Sequence, residues 1–333
     1  MPRIGYLDSI RGTMILWMLV VHISLNYGII KFGQAPSFTV FTLMSFFMVP
    51  FYVFSGFLFS SKRSFKEYTM NKVRKLTVPY VLFTLFGIII FEGYSFLLKG
   101  NLDWSFLTLK SFIATAAFKT NTPCWFFVSL FLVSEIYYLL ASNLKCGGGK
   151  LIHVAIFLFF LGAFVTKNYH QWFGYGNVLL GLVYFHMGHL LRIHETTAKK
   201  YLLKLFIVAL LTYCVIAFLF PTSLAFVTNM LVEGYYSLNF LFSLSATFLL
   251  WVVFQRIPEN KVNYSLQYIG QISLVVFASH RPILNWIVDP TLRYLNPNIT
   301  YTLFLSVSLI ALLGCSVAIE YLLSRYAPKL IGK

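Results

Sequence analysis

The chain has 333 residues, of which 59% are hydrophobic and only 11% charged, with a net charge of +16. A soluble domain averages about 45–50% apolar and about 25% charged residues, so too few polar groups remain to cover an aqueous surface, and lipid is the implied solvent. The positive charge does not point to nucleic acid, because Lys and Arg sit in short segments between apolar runs and no basic domain is present to track a phosphate backbone.

A spanning helix needs about 20 largely apolar residues, and reading for such runs predicts an all-α, polytopic transmembrane bundle of about ten helices in one domain. The runs lie at Ile10–Ile30, Phe38–Ser60, Thr77–Leu98, Pro123–Asn143 and Leu151–Thr166. They continue at Phe173–Leu191, Tyr201–Pro221, Tyr236–Phe254, Ile269–Val288 and Tyr301–Leu323. Trp104–Phe118 is interrupted by Lys110 and reads as a short interfacial or re-entrant segment. The first run has no small-residue cleavage site and reads as a signal anchor.

An even number of spans puts both termini on one side. With both in the cytoplasm, 19 of the 26 Lys and Arg fall on the inner segments and 7 on the outer ones, as the positive-inside rule requires. Cys124, Cys146, Cys214 and Cys315 form no CxxC pair, so they read as buried thiols, and no metal is expected.

Ionisable groups inside a membrane cost several kcal/mol unless paired or solvated, which makes the first helix the most informative. Asp8 and Arg11 stand at its inner end, and His22 follows 11 residues after Arg11. That spacing returns to within about 20° on an α-helix and rises about 16 Å, so guanidinium and imidazole project from nearly one face, one at the inner surface and one deep. An anionic cofactor head with a long arm fits such a spacing: phosphates near Arg11, reactive end at His22, as in acyl-coenzyme A. His22 then acts as general base or nucleophile. The plainer reading is an Asp8–Arg11 salt bridge with His22 as a satisfied core residue.

Further polar candidates follow in chain order. Ser55-Gly56 permits close backbone approach near the inner end of the second span. Lys62, Arg63, Lys66, Lys72, Arg74 and Lys75 crowd the next loop; they read as positive-inside anchors, as a clamp on coenzyme phosphates, or as both. Trp125 starts the fourth long span as a belt residue or a sugar-stacking platform. Glu135 lies within that span and either orients His22 or meets a structural partner. His186, His189 and Arg192 share helical spacing and read as inner-rim polar residues, although a metal pair also fits. His280 lines an acceptor entrance or packs at the interface, and Arg281 snorkels outward.

Several of these segments together resemble one family. Leu7-Asp8-Ser9-Ile10-Arg11-Gly12, with Val21-His22 downstream, is similar to the opening signature of the acyltransferase-3 family, integral membrane acyltransferases that decorate bacterial surface polysaccharides. Phe54-Ser55-Gly56-Phe57-Leu58 resembles its second-helix element, and Trp125-Phe126-Phe127 its central Trp-Phe element. Ser279-His280 is similar to a late His. Lys72-Val73-Arg74-Lys75-Leu76 before Pro79-Tyr80 resembles its Arg-x-x-Arg segment. It departs by carrying Lys at both ends, a point charge in place of Arg's planar fork. The chain is most similar to the O-antigen and fucose O-acetylase-like branch.

The resemblance implies about ten core helices, an acyl-CoA donor, a carbohydrate acceptor and site roles for Arg11 and His22. The expected protein is thus a multi-pass inner-membrane O-acyltransferase. It uses acetyl-CoA as donor, with Asp8, Arg11, His22 and Glu135 at the chemistry, and Arg11, Ser55, Lys72, Arg74 and Lys75 at the coenzyme. Trp125 and His280 meet the glycan, and the other partners are membrane lipids. The competing class is a proton-coupled transporter or flippase of a glycan or lipid intermediate, built on the same buried His, Glu and Arg.

Overall fold

The computed structural model describes residues 4–29, 46–102, 120–143, 175–219 and 236–332, with scattered positions between 104 and 109 and between 153 and 164. The described residues are helical, and no strand occurs among them. The chain begins with α1 (Gly5–Tyr27), α2 (Val49–Phe57), α3 (Phe65–Lys72) and α4 (Val78–Lys99). Then come α5 (Trp125–Asn143), α6 (Tyr175–Ile193), α7 (Glu195–Lys200), α8 (Leu202–Leu219) and α9 (Tyr236–Phe254). The last are α10 (Lys261–Gln271), α11 (Ser273–Ile283), α12 (Asp289–Leu295) and α13 (Tyr301–Tyr326).

By length and composition, four stretches among the described residues can cross a membrane: Gly5–Tyr27, Phe65–Lys99, Thr122–Ser142 and Tyr301–Tyr326. Shorter apolar helices occupy Val178–Ile193, Leu202–Ile216 and Phe240–Phe254. Large apolar side chains point out of the bundle, among them Ile89, Leu97, Val208, Phe218 and Ile310. Lipid, not water, tolerates that surface. The expected run at Trp104–Phe118 and the first part of Phe38–Ser60 lie largely outside the described residues, while of Leu151–Thr166 residues 153–154, 156–162 and 164 are described and helical.

The predicted ninth span, Ile269–Val288, divides instead. Ile272 leaves helical geometry at φ −94° and ψ 7°, separating α10 from α11. α11 continues through a π-helical turn at Leu284–Val288 into α12. The α3–α4 junction repeats the device with a π turn at Val73–Thr77. In both cases a proline follows the turn by two residues, Pro79 in one and Pro290 in the other. A proline within a helix lacks the N–H that bonds four residues back and its ring strikes that carbonyl. Widening the preceding turn absorbs both defects: the Val78 and Asp289 N–H groups reach five residues back, to Val73 and Leu284.

Glycines set the two tightest helix pairs. A Cβ on Gly12 would lie 2.0 Å from the Leu266 carbonyl oxygen, and one on Gly270 1.9 Å from that of Asp8. α1 and α10 therefore touch backbone to backbone. α2 and α6 do the same, with Gly56 against the Phe185 carbonyl and Gly188 against that of Val53. Without a hydrophobic driving force between helices in lipid, such close approach maximises dispersion contact. The backbone approach expected at Gly56 is thus spent on α6.

Candidate functional site

Motif residues of α1 divide between packing and chemistry. Asp8 is 2% exposed and binds Arg11 at 3.2 Å through Nη1. Ser9 Oγ donates to the buried Asn263 Oδ1 of α10 at 2.5 Å. With Gly12 against Leu266, three residues of the Leu7–Gly12 signature belong to the α1–α10 contact. The Arg11 side chain keeps 26% of its surface open. The helix runs unbroken from Gly5 to Tyr27, so the spacing of Arg11 and His22 keeps its expected consequence, a rise of about 16 Å along nearly one face.

The far end of α1 meets α11. The His22 and His280 rings lie 4.9 Å apart at 44°. Arg281 Nη1 approaches His22 Nδ1 at 3.4 Å and Asn26 Oδ1 at 3.3 Å. Asn26 Nδ2 in turn donates to Asn285 Oδ1 at 2.8 Å. Arg281 therefore turns inward to His22 rather than snorkelling outward, because α11 aims it at α1. A guanidinium only donates hydrogen bonds, so the His22 Nδ1 it meets is an acceptor and the neutral ring carries its proton on Nε2. His280 is the mirror case. Its Nδ1–H donates to the Phe277 carbonyl at 2.7 Å, which leaves Nε2 as an acceptor, buried and without a partner among the described residues.

Pro282 helps to present this pair. It stands inside α11 and cannot donate to the Ala278 carbonyl four residues back. Asn121 Nδ2 fills that role at 2.8 Å and also donates to the Phe83 carbonyl of α4 at 2.9 Å. Asn121 sits just before the short 3₁₀ turn Thr122–Cys124 that starts α5. From there Phe126 and Phe127 reach the Phe277 ring at 5.4 and 5.7 Å. Trp125 precedes them as a half-buried residue at the start of α5. The Trp-Phe element thus packs on the α11 turn that carries His280.

The remaining candidates gather elsewhere. Glu135 Oε2 accepts from Thr69 Oγ1 of α3 at 2.5 Å, the structural alternative to orienting His22, whose contacts are His280 and Arg281. Lys72 is half-buried with its ammonium 5.3 Å from the Tyr68 ring centre. Arg74 and Lys75 are exposed on the π turn. Gly332, at the C-terminal end, lies against the Lys75 backbone. Ser55 is half-buried beside Gly56.

His186 and His189 are not opposed across a vacant site; both place Nδ1 on the Tyr137 hydroxyl, at 3.0 and 2.7 Å. One hydroxyl proton serves two ring nitrogens, so one of them donates and the other accepts. Arg192 lies over the Phe57 ring and pairs with Glu195. Among the described residues no cluster of three or more His, Cys, Asp or Glu forms a metal-sized group.

Sequence reasoning missed Arg281 and Asn121 as parts of this arrangement. The signal for Arg281 was its adjacency to His280, and for Asn121 the nearby Pro282, whose missing N–H requires a substitute donor. The family model described as an acyltransferase domain matches residues 4–321. No curated protein and no solved structure matches the chain significantly. With a match over nearly its whole length, the chain belongs to the acyltransferase-3 family of membrane acyltransferases.

Proposed function

We propose that the protein is an O-acyltransferase of a bacterial inner membrane. In this reading it moves an acetyl or other short acyl group from acyl-CoA to a hydroxyl of a cell-surface polysaccharide such as O-antigen or exopolysaccharide. The observation that carries the reading is the unbroken α1, which holds Arg11 at one level and His22 about 16 Å further on nearly the same face. That distance suits the pantetheine arm of a coenzyme whose phosphates meet cationic side chains.

The basic end of the bundle faces the cytoplasm in this reading. Arg11, Lys72, Arg74 and Lys75 supply positive charge for the phosphates. The C-terminal segment against Lys75 supports placing that terminus on the same side. The thioester reaches His22, where the imidazole removes the acceptor's proton. His280 and Trp125, joined through Phe126 and Phe277, lie on the acceptor side.

Purified protein in nanodiscs is expected to release free thiol from acetyl-CoA. His22→Ala abolishes that release while the protein still elutes as a folded species. Equal thiol release by wild type and His22→Ala removes the His22 reading. Glycan movement across the membrane without any coenzyme points instead to a transporter.

A further inference from the structure

Arg281 carries a charge inside the bundle that the reaction as outlined does not use. Its hydrogen-bond partners among the described residues are His22 and Asn26, neither of them anionic. None of the ion pairs there includes it. The nearest carboxylate in sequence, Asp289, is held by Arg293 at 2.6 Å. Arg281 is half-buried, and a cation held partly out of water with no carboxylate in ion-pair reach among the described residues is costly. Such a group is retained where negative charge develops, because a preorganised donor in a dry site stabilises an oxyanion far better than water does.

From this we infer that Arg281 is a catalytic residue, the donor that stabilises the oxyanion formed on the acyl carbonyl beside His22. The inference rests on the acyl-transfer reading above. Two details of the geometry give it a sequence of events. Arg281 donates to His22 Nδ1, the only nitrogen of the neutral ring able to accept a proton, so the resting contact masks the base. At 3.4 Å that contact is long, and a thioester carbonyl is a competing acceptor for the same guanidinium. When the carbonyl takes the guanidinium, Nδ1 is released to act.

The step then balances. The acceptor hydroxyl oxygen bonds to the thioester carbon, its proton passes to His22 Nδ1, and the carbonyl π pair moves onto oxygen opposite Arg281. Collapse restores the C=O bond and breaks the C–S bond. The thiolate leaves with that pair and takes the proton back from the imidazolium. Asn26, tied to Asn285, holds the same Nη1 of Arg281 throughout.

The test compares wild type, Arg281→Gln, Arg281→Lys and His22→Ala in nanodiscs, measuring thiol release against acetyl-CoA concentration together with thermal unfolding. Loss of one oxyanion donor costs about 10²–10³ in rate. Arg281→Gln is therefore expected to lower kcat by that factor with little change in KM for acetyl-CoA, and Arg281→Lys to recover part of it. Nitrogen NMR of labelled His22 gives a second readout: the Nδ1 resonance, shifted by the guanidinium hydrogen bond in wild type, moves in Arg281→Gln. Wild-type kcat in Arg281→Gln, beside an inactive His22→Ala, overturns the role of Arg281 and leaves the acyl-transfer reading standing. A loss in Arg281→Gln that tracks lowered unfolding temperature, with no recovery in Arg281→Lys, also overturns it. Absence of thiol release by wild type overturns the acyl-transfer reading and this assignment with it, whereas full activity in His22→Ala removes the His22 reading and, with it, the role given to Arg281.

Discussion

Replacing Gly12 by Ala places a methyl carbon 2.0 Å from the Leu266 carbonyl oxygen, 1.4 Å short of the 3.4 Å at which ordinary contact begins. Both partners are backbone, so no rotamer change relieves the overlap and the helices themselves must part. Overpacking a well-fitted interior costs about 1–3 kcal/mol, and more where backbone must move. The upper end applies here. Ala regains about 1 kcal/mol of helix propensity over Gly, leaving a net loss of about 2 kcal/mol.

The controls lie in the same protein. Gly93 in α4 and Gly314 in α13 have nothing within 4 Å of an added Cβ, so Gly93→Ala and Gly314→Ala are expected to be neutral or stabilising by up to about 1 kcal/mol. Unfolding in detergent, followed by circular dichroism, separates the two classes by about 3 kcal/mol. Gly270→Ala enters the same contact from the other helix, at 1.9 Å from the Asp8 carbonyl oxygen. The double substitution therefore costs less than the two singles summed, since the helices have already parted. Activity falls with stability, because α10 leads through Ile272 to the helix that carries His280 and Arg281. If Gly12→Ala unfolds together with Gly314→Ala, the α1–α10 contact is not what the geometry says it is.

Three further outcomes are expected. Gly56→Ala, at 1.8 Å from the Phe185 carbonyl oxygen, destabilises the α2–α6 pair by about 2 kcal/mol in the same assay; behaviour like Gly93→Ala contradicts it. Asn121→Ala strips the donor from two buried carbonyls and lowers stability by about 1–3 kcal/mol, with acyl transfer falling as α11 loses its brace; Asn121→Ser, too short to span both carbonyls, recovers little of either. Tyr137→Phe leaves the Nδ1 atoms of His186 and His189 without their shared hydroxyl and costs about 1–3 kcal/mol of unfolding free energy. Unchanged stability there means the two histidines find other partners, which proton NMR of the imidazole N–H region detects.

Much of this molecule is written locally. Hydropathy and run length identify α1, α4, α5, α9 and α13 to within a few residues, because an element that must satisfy its own backbone in lipid is a long apolar helix. The phase of that helix also places Arg11 and His22 on nearly one face, since 3.6 residues per turn holds wherever the helix is unbroken. The same logic fails at Ile269–Val288. There the apolar run continues, but the helix breaks at Ile272, between α10, which touches α1, and α11. Nothing in a hydropathy window records the contact of Gly12 with Leu266.

The site shows the same division. His22 was readable as a polar residue in the wrong solvent, and Asp8 and Arg11 as neighbours three residues apart on a helix. Arg281, 259 positions from His22, was readable only as a charge near an outer helix end. Glu135 was readable as a buried carboxylate, while its meeting with Thr69 depended on α3 lying across α5. A sequence determines what each helix is and which of its side chains share a face, because those properties repeat within a few residues. Which faces meet is decided by packing between distant segments, and so only the folded bundle turns the guanidinium of Arg281 towards the imidazole of His22.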